Sequence, residues 1–177
     1  MSSKAPLAPS PPPSGGEPLH FRLMEEVDRE AVGLLGWEAW RSNGPLDRGM
    51  ADPKVAQKVR DAFLRFPFEY ARPIILAEQQ GRVVGWTARD MAADSLSDLW
   101  IAPDHQERRV GRALLDHVCA QIAAEGSGQA VISTHQNNFR AIGLYKSCGF
   151  DIIWQGMAKD FVMAIEIPQV RLRRNLG

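Results

Sequence analysis

Gln106, Glu107, Arg108 and Arg109 form a short polar run that closes on Gly111, with Arg112 directly after it. Such a run could hold an anion, and the next residues of the chain strengthen that reading. Val110, Leu114, Leu115, Val118 and Ile122 recur at helical spacing, which predicts an amphipathic helix from Val110. The first N–H groups of a helix have no partner within it and carry the positive end of its dipole, so a phosphate is a natural guest there. Arg108, Arg109 and Arg112 add charge at the same end. An ordinary solvated helix start has the same composition. Neither the dinucleotide glycine fingerprint nor the nucleotide P-loop is present.

The elements that must position this loop can be read outward from it. Leu96, Leu99, Trp100 and Ile101 carry a strand that Pro103 ends, because proline offers no N–H to a ladder. Upstream, residues 19–24 alternate as a first strand. Residues 25–41 then turn helical, with Val27, Ala31, Leu34, Leu35 and Ala39 as the apolar face and Gly33 and Gly36 as weak points. A second helix is predicted from Asp52, its N-cap, and Pro53 to Phe66, with Val55, Val59, Phe63 and Phe66 on one face. Residues 72–78 and 82–88 flank Gly81 as a hairpin. Downstream come a strand over 129–134 and a short helix capped by Asn137 or Asn138, with Phe139, Ile142 and Tyr145 in line. Two last strands are predicted over 150–154 and 161–167, with Pro168 as the stop.

The resulting order is βααβββαβαββ. A helix crossing between two strands implies at least one parallel pair. The expected class is α/β: a mixed, twisted central sheet of about seven strands flanked by about four helices on both faces. The 177 residues fit one domain over 19–168, preceded by a Pro/Ser/Gly-rich disordered tail over 1–18 and followed by a short basic tail over 169–177 with Arg171, Arg173 and Arg174.

Composition removes several functional classes. Lys plus Arg and Asp plus Glu are both 21, so the formal net charge is zero, which argues against a nucleic-acid partner. No run approaches the roughly 18 apolar residues of a membrane helix, and the N-terminus lacks a secretory apolar core. Cys119 and Cys148 make neither a disulfide framework nor a metal-ligand spacing, so a cytoplasmic location and no metal are expected.

Leu99-Trp-Ile-Ala-Pro103, then Gln106 and Gly111 five residues apart, then Arg112-Ala-Leu-Leu115, resemble the acetyl-coenzyme A signature of the GNAT N-acetyltransferase family. The segment from Asn137 to Phe150, with Asn138, Ala141, Leu144, Tyr145 and Gly149 in register, resembles that family's later motif. The resemblance is close over residues 94–154. It implies a GNAT-like fold and transfer of the acetyl group of acetyl-coenzyme A to a primary amine of a small molecule or peptide, by direct attack in a ternary complex. On that basis backbone groups of Leu99, Trp100 and Ile101 would bond the pantetheine arm, with the Ile101 N–H polarising the thioester carbonyl. Asn138 would also bond the arm. N–H groups from Glu107 through Arg108, Arg109, Val110 and Gly111 to Arg112 would hold the pyrophosphate, with Gln106 opening the loop. Tyr145, protonated at neutral pH, would be the acid that serves the leaving thiolate.

The chain departs from the family at two places. Arg109 stands where the family usually has glycine. Ser133 stands where the family's ribosomal-protein alanine acetyltransferases place a glutamate, which lowers the case for a protein N-terminal acceptor. Only a neutral amine attacks, so a base is needed; Asp98 is the first candidate, with Glu78 and His135 behind it. Trp37, Trp40, Phe63, Phe66, Phe68 and Tyr70 fall in the region that shapes the acceptor site in the family. Many members are dimers, so the resemblance also allows a homodimer. The alternative, kept open by Arg109, is a non-catalytic GNAT-like module that binds an acyl-coenzyme A as a sensor or serves as an interaction surface.

Overall fold

A computed structural model describes residues 18–177; the tail expected over 1–18 lies, apart from Pro18, outside the described residues. The elements are β1 (His20–Leu23), α1 (Arg29–Asn43), α2 (Pro53–Glu69), β2 (Ile74–Gln79), β3 (Arg82–Arg89), β4 (Ser95–Ile101), α3 (Val110–Ala124), β5 (Gln129–His135), α4 (Phe139–Ser147), β6 (Asp151–Asp160) and β7 (Ile165–Asn175). The order is the expected one. The strands form one seven-stranded sheet, β1-β2-β3-β4-β5-β7-β6. Within it β4 and β5 are the parallel pair, joined by α3 as the crossover; the other neighbours are antiparallel.

Helices cover both faces, and each face has its own core. On one face Val110, Leu114, Leu115, Val118 and Ile122 of α3 pack with Tyr145 of α4 against Ile75, Leu96, Ile132 and Leu172 of the sheet. On the other, Val32 and Leu35 of α1 and Val55, Val59 and Phe63 of α2 pack on Ile74, Leu76 and Trp86. Because both faces are covered, β2 reads as a near-continuous apolar run (Ile74, Ile75, Leu76 and Ala77 all buried) rather than an alternation.

The apolar face expected for α1 is displaced. Val27 and Leu34 are exposed, and Ala31 with them; Val32, Gly33, Leu35, Gly36 and Ala39 are buried. The two glycines that weaken the helix on propensity are its contact face. A Cβ on Gly33 would sit 2.9 Å from the Phe63 carbonyl oxygen, and one on Gly36 would sit 2.5 Å from Phe63 Cδ1 and 2.9 Å from Trp86 Cζ2. Close approach of α2 to α1 therefore depends on glycine at both places. Gly36→Leu is expected to lower the urea midpoint by an amount equivalent to about 3 kcal/mol, because overpacking outweighs the roughly 1 kcal/mol gained in helix propensity. An unchanged midpoint would show that Phe63 can swing aside freely.

Asp52 caps α2 as expected, accepting the Lys54 N–H at 2.8 Å, but the helix runs past Phe66 to Glu69 with Pro67 in its last turn. Asn138, not Asn137, caps α4, and Phe139 is exposed instead of sharing a buried face with Tyr145.

The C-terminal expectation is corrected more strongly. The strand does not stop at Pro168, and residues 169–175 are not a tail. β6 extends to Asp160, the turn falls at 161–164, and β7 runs from Ile165 to Asn175 between β5 and β6. Two things fix the turn. The Asp160 carboxylate accepts the Met163 N–H at 2.8 Å, and its carbonyl accepts the Ala164 N–H at 2.9 Å, with Ala164 at φ +59°. Pro168 is tolerated because it lies just beyond the end of β5, where its carbonyl takes the Gln136 N–H. Arg171, Arg173 and Arg174 thus sit on a central strand; Arg171 stacks over Trp154, and Arg174 pairs with Asp116 at 2.6 Å. Both cysteines are free and buried.

Candidate functional site

The parallel pair that holds the sheet together also opens it. β4 and β5 are in register only at Ser95–Val131 and Leu96–Ile132. At that point β4 carries a bulge: Ala88 pairs with Asp98 and Arg89 with Leu96, which leaves Ser97 as the extra residue. Bulges bend a strand and re-aim its side chains. Beyond this one, β4 continues alongside β3 to Ile101, while β5 continues alongside β7 to His135. The two strands part, and a cleft of about 400 Å³ lies between them. Asp98, Leu99, Trp100 and Ile101 line its β4 side, which faces no partner strand there.

The loop at the end of β4 closes one end of this cleft. Gln106, Glu107 and Arg109 line it, as do Gly111 and Arg112 at the start of α3. Glu107 and Arg109 both have φ +65°, the left-handed conformation, and α3 begins directly after Arg109. Left-handed residues alternating with right-handed ones curl successive N–H groups into an anion-binding concavity. The first-turn N–H groups of α3 add to it, since the earliest of its ladder bonds runs from Ala113 to Arg109. Gly111 lies where a Cβ would meet Leu144 Cδ2 at 3.0 Å, so the helix start is packed tightly on α4.

The loop residues divide by direction. Gln106 braces the loop, donating to the Ile101 carbonyl at 3.2 Å and accepting from Arg140. Arg112 reaches α4, where it binds the Ser147 carbonyl at 2.8 Å and hydroxyl at 2.9 Å. Val110 turns its side chain into the core and Arg108 is exposed; neither side chain lines the cleft. Arg109 occupies the conformation that glycine adopts without cost. Arg109→Gly should therefore raise thermal stability by somewhat less than about 1 kcal/mol: relief of the left-handed strain, less the extra freedom gained by the unfolded chain. A fall in melting temperature would show that the arginine side chain makes a stabilising contact.

α4 supplies the other wall. Asn138 accepts the Ala141 N–H at 3.3 Å and donates to Thr134 Oγ1 at 3.0 Å, so its amide fixes the start of α4 against β5 while lining the cleft. Tyr145 also lines the cleft and is only 5% exposed. Burial, with the nearby Asp98 charge as a lesser cause, holds its phenol well above the ordinary tyrosine range. It is a proton donor at every working pH. Asp98 accepts the Trp100 indole N–H at 2.9 Å, and burial pushes its carboxyl up despite that bond and one from Ser97.

A second cavity, about 340 Å³, adjoins the first and shares Asn43, Ser97, Trp100, Ser133, Thr134 and Asn138 with it. Of the aromatic residues on α1 and α2 expected near an acceptor, Trp40, Phe63 and Phe66 line it; Trp37, Phe68 and Tyr70 do not. His135 lines it too, but with both ring nitrogens committed. Nδ1 accepts the Asn137 N–H at 3.0 Å, so Nε2 carries the hydrogen and donates to Asp47 at 2.7 Å. Asn137 Nδ2 also binds the Leu46 carbonyl at 3.0 Å. These two bonds clasp the α1–α2 connection to the end of β5. Asp47 is held below the usual carboxylate range: burial pulls it upward, but bonds from His135 and the Met50 and Gly49 amides outweigh that. Glu78 lines neither cavity and pairs with Arg22 at 2.9 Å. Asp47 and Asp160 carry no signal in the sequence, because each sits beside a connecting segment without periodicity. No group of metal-ligating side chains converges among the described residues.

A model of the Acetyltransferase (GNAT) family matches residues 25–150. The [Ribosomal protein bS18]-alanine N-acetyltransferase of Escherichia coli K12 is 29% identical over 75 residues, 41% of this chain and 51% of that protein. The chain thus spans about half the length of the curated relatives it matches. Among solved structures, the paia N-acetyltransferase of Thermoplasma acidophilum in complex with coenzyme A superposes with a TM-score of 0.68 at 14% identity, covering 89% of this chain and 99% of that one. The Escherichia coli ribosomal-protein-S18-alanine N-acetyltransferase gives 0.64 at 17% identity, covering 90% and 95%. At such identities these two structures share the fold.

Proposed function

The chain belongs to the acetyltransferase (GNAT) family, and from that premise we propose that it is an N-acetyltransferase that moves the acetyl group of acetyl-coenzyme A to a primary amine by direct attack in a ternary complex. The observation that carries the proposal is the parting of β4 and β5 beside the left-handed loop at Glu107 and Arg109, with Tyr145 in the same cleft. The coenzyme A in the Thermoplasma structure supports the choice of donor, since that protein has the same fold.

In this reading the pyrophosphate rests on the N–H groups from Glu107 to Arg112, and Arg109 and Arg140 add charge at the wall. The pantetheine arm runs along Leu99, Trp100 and Ile101, beside Asn138. Asp98 takes the proton of the acceptor ammonium through water. The amine nitrogen then bonds to the thioester carbon, the C–S bond breaks, and the thiolate takes the Tyr145 proton. The phenolate is reprotonated by the proton that the new amide nitrogen sheds.

The decisive experiment is calorimetric titration with acetyl-coenzyme A and with coenzyme A, followed by amine-dependent thiol release. One-to-one micromolar binding with release is expected. Binding without release towards any amine would favour a sensor, and no binding at millimolar ligand would refute the donor site.

A further inference from the structure

The second cavity adjoins the donor cleft and, on the N-acetyltransferase reading, is the acceptor cavity; the two differ in charge. Arg109, Arg112 and Arg140 line the donor cleft against two carboxylates, Asp98 and Glu107, so the cleft keeps a cationic excess. Among the described residues that line the acceptor cavity there is neither a lysine nor an arginine; its ionisable side chains are Asp160 and His135. Both His135 ring nitrogens are engaged, Nδ1 accepting the Asn137 N–H and Nε2 donating to Asp47, so the ring is not free to pair with an acceptor. The Asp160 carboxylate is pinned by the Met163 N–H at 2.8 Å, so it stays at the wall instead of swinging into solvent. The remaining surface is chiefly apolar and rich in rings: Trp40, Phe63, Phe66 and Trp100, with Met50 and Met163.

Each feature selects the same kind of molecule. Ring faces and a fixed carboxylate attract an ammonium. A flat apolar body gains by filling a cavity walled with aromatics. A carboxylate on the acceptor would enter without a cationic partner and beside Asp160, and burying an unpaired charge is strongly unfavourable. A second ammonium would lack a carboxylate of its own, since Asp160 is the one acidic side chain among the described residues that line the cavity. A volume of about 340 Å³ lies at the small end of ligand pockets, which run from about 300 to 1,000 Å³.

We propose that the acceptor is a compact arylalkylamine: a primary amine on a short apolar stem, with an aromatic body and no carboxylate. The inference rests on the N-acetyltransferase reading and narrows it. The chemistry is unchanged: the N–C bond forms, the C–S bond breaks, and coenzyme A leaves as the thiol.

The test is thiol release by the full chain from acetyl-coenzyme A with phenethylamine, tryptamine, phenylalaninamide, phenylalanine, spermidine and an alanine-initiated hexapeptide. Phenylalaninamide and phenylalanine differ in a neutral amide against a carboxylate; because the amide also lowers the pKa of the amine, kcat/KM is compared per neutral amine, and that ratio isolates the charge. The arylalkylamines and phenylalaninamide should be acetylated, with phenylalanine lower in kcat/KM by about 100-fold. Asp160→Asn keeps the oxygen that holds Met163, so the turn is retained, and it should narrow that ratio at least fivefold. Phenylalanine within tenfold of its amide would overturn the proposed class, as would spermidine or the peptide surpassing every arylalkylamine, or no acetylation of the aromatic amines by protein that binds coenzyme. Those results leave the N-acetyltransferase reading standing or answer it separately. Failure of the same sample to bind acetyl-coenzyme A in calorimetry would remove that reading and the acceptor class together.

Discussion

Tyr145→Phe is expected to lower amine-dependent turnover about 100-fold while leaving the dissociation constant for acetyl-coenzyme A within a factor of two. The ring is buried between the cleft and the core, in tilted contact with Phe150, and phenylalanine keeps all of that packing. Only the hydroxyl is lost. Burial raises its pKa and keeps the hydroxyl protonated, so it is present as a donor to the leaving sulfur, and the transfer is completed as the new amide nitrogen sheds its proton to the oxygen. In the proposed binding mode the donor lies along the loop, the start of α3, β4 and Asn138, none of which the substitution alters. The effect should therefore fall on kcat and not on binding. Steady-state kinetics together with calorimetry on the same preparation separate the two. A variant that turns over at the parent rate would show that solvent protonates the thiolate and that Tyr145 is only a seal between α4 and the sheet.

The contrast between what could and could not be read from the sequence comes from the range of the forces involved. Local signals were reliable: the hairpin turn at Gly81, the periodicity of α3, the Asp52-Pro53 cap and the Pro103 stop all act over a few residues, and the structure carries them. The two motifs were legible because a strand, a loop and a helix start lie consecutively in the chain. Errors arose where a distant partner decided the outcome. Gly33 and Gly36 weaken α1 by propensity alone, but they are where α2 packs against it. Pro168 looked like a strand stop, yet β7 needs no N–H there, a fact set by where β5 ends. Asp47 meets His135 across 88 residues, a pairing no linear pattern announces. Both carboxylates that the sequence passed over, Asp47 and Asp160, are at connections, where periodicity is silent and a fixed scaffold supplies the geometry.

Asp98→Asn should lower turnover about 100-fold and yet raise the melting temperature at neutral pH. The two effects have one cause. Asp98 accepts the Trp100 indole N–H, and burial raises its pKa above the usual carboxylate range. A carboxyl raised by folding favours the folded state while protonated. That contribution is complete below the unfolded pKa and is lost as pH rises through the folded one. At neutral pH the ionised group therefore weakens the fold, as a base held ready to take a proton must. Asparagine keeps an oxygen for Trp100 and removes the charge. The gain in melting temperature should accordingly be larger at pH 7 than at pH 4. In the parent protein, kcat/KM should fall as pH drops through the raised pKa, on a limb lying above the ordinary carboxylate range; in the variant that limb should vanish. A variant with parent turnover and an unaltered acid limb would exclude Asp98 as the base, and with His135 committed at both nitrogens and Glu78 outside the cavities, a water-linked group on the acceptor side would have to take its place.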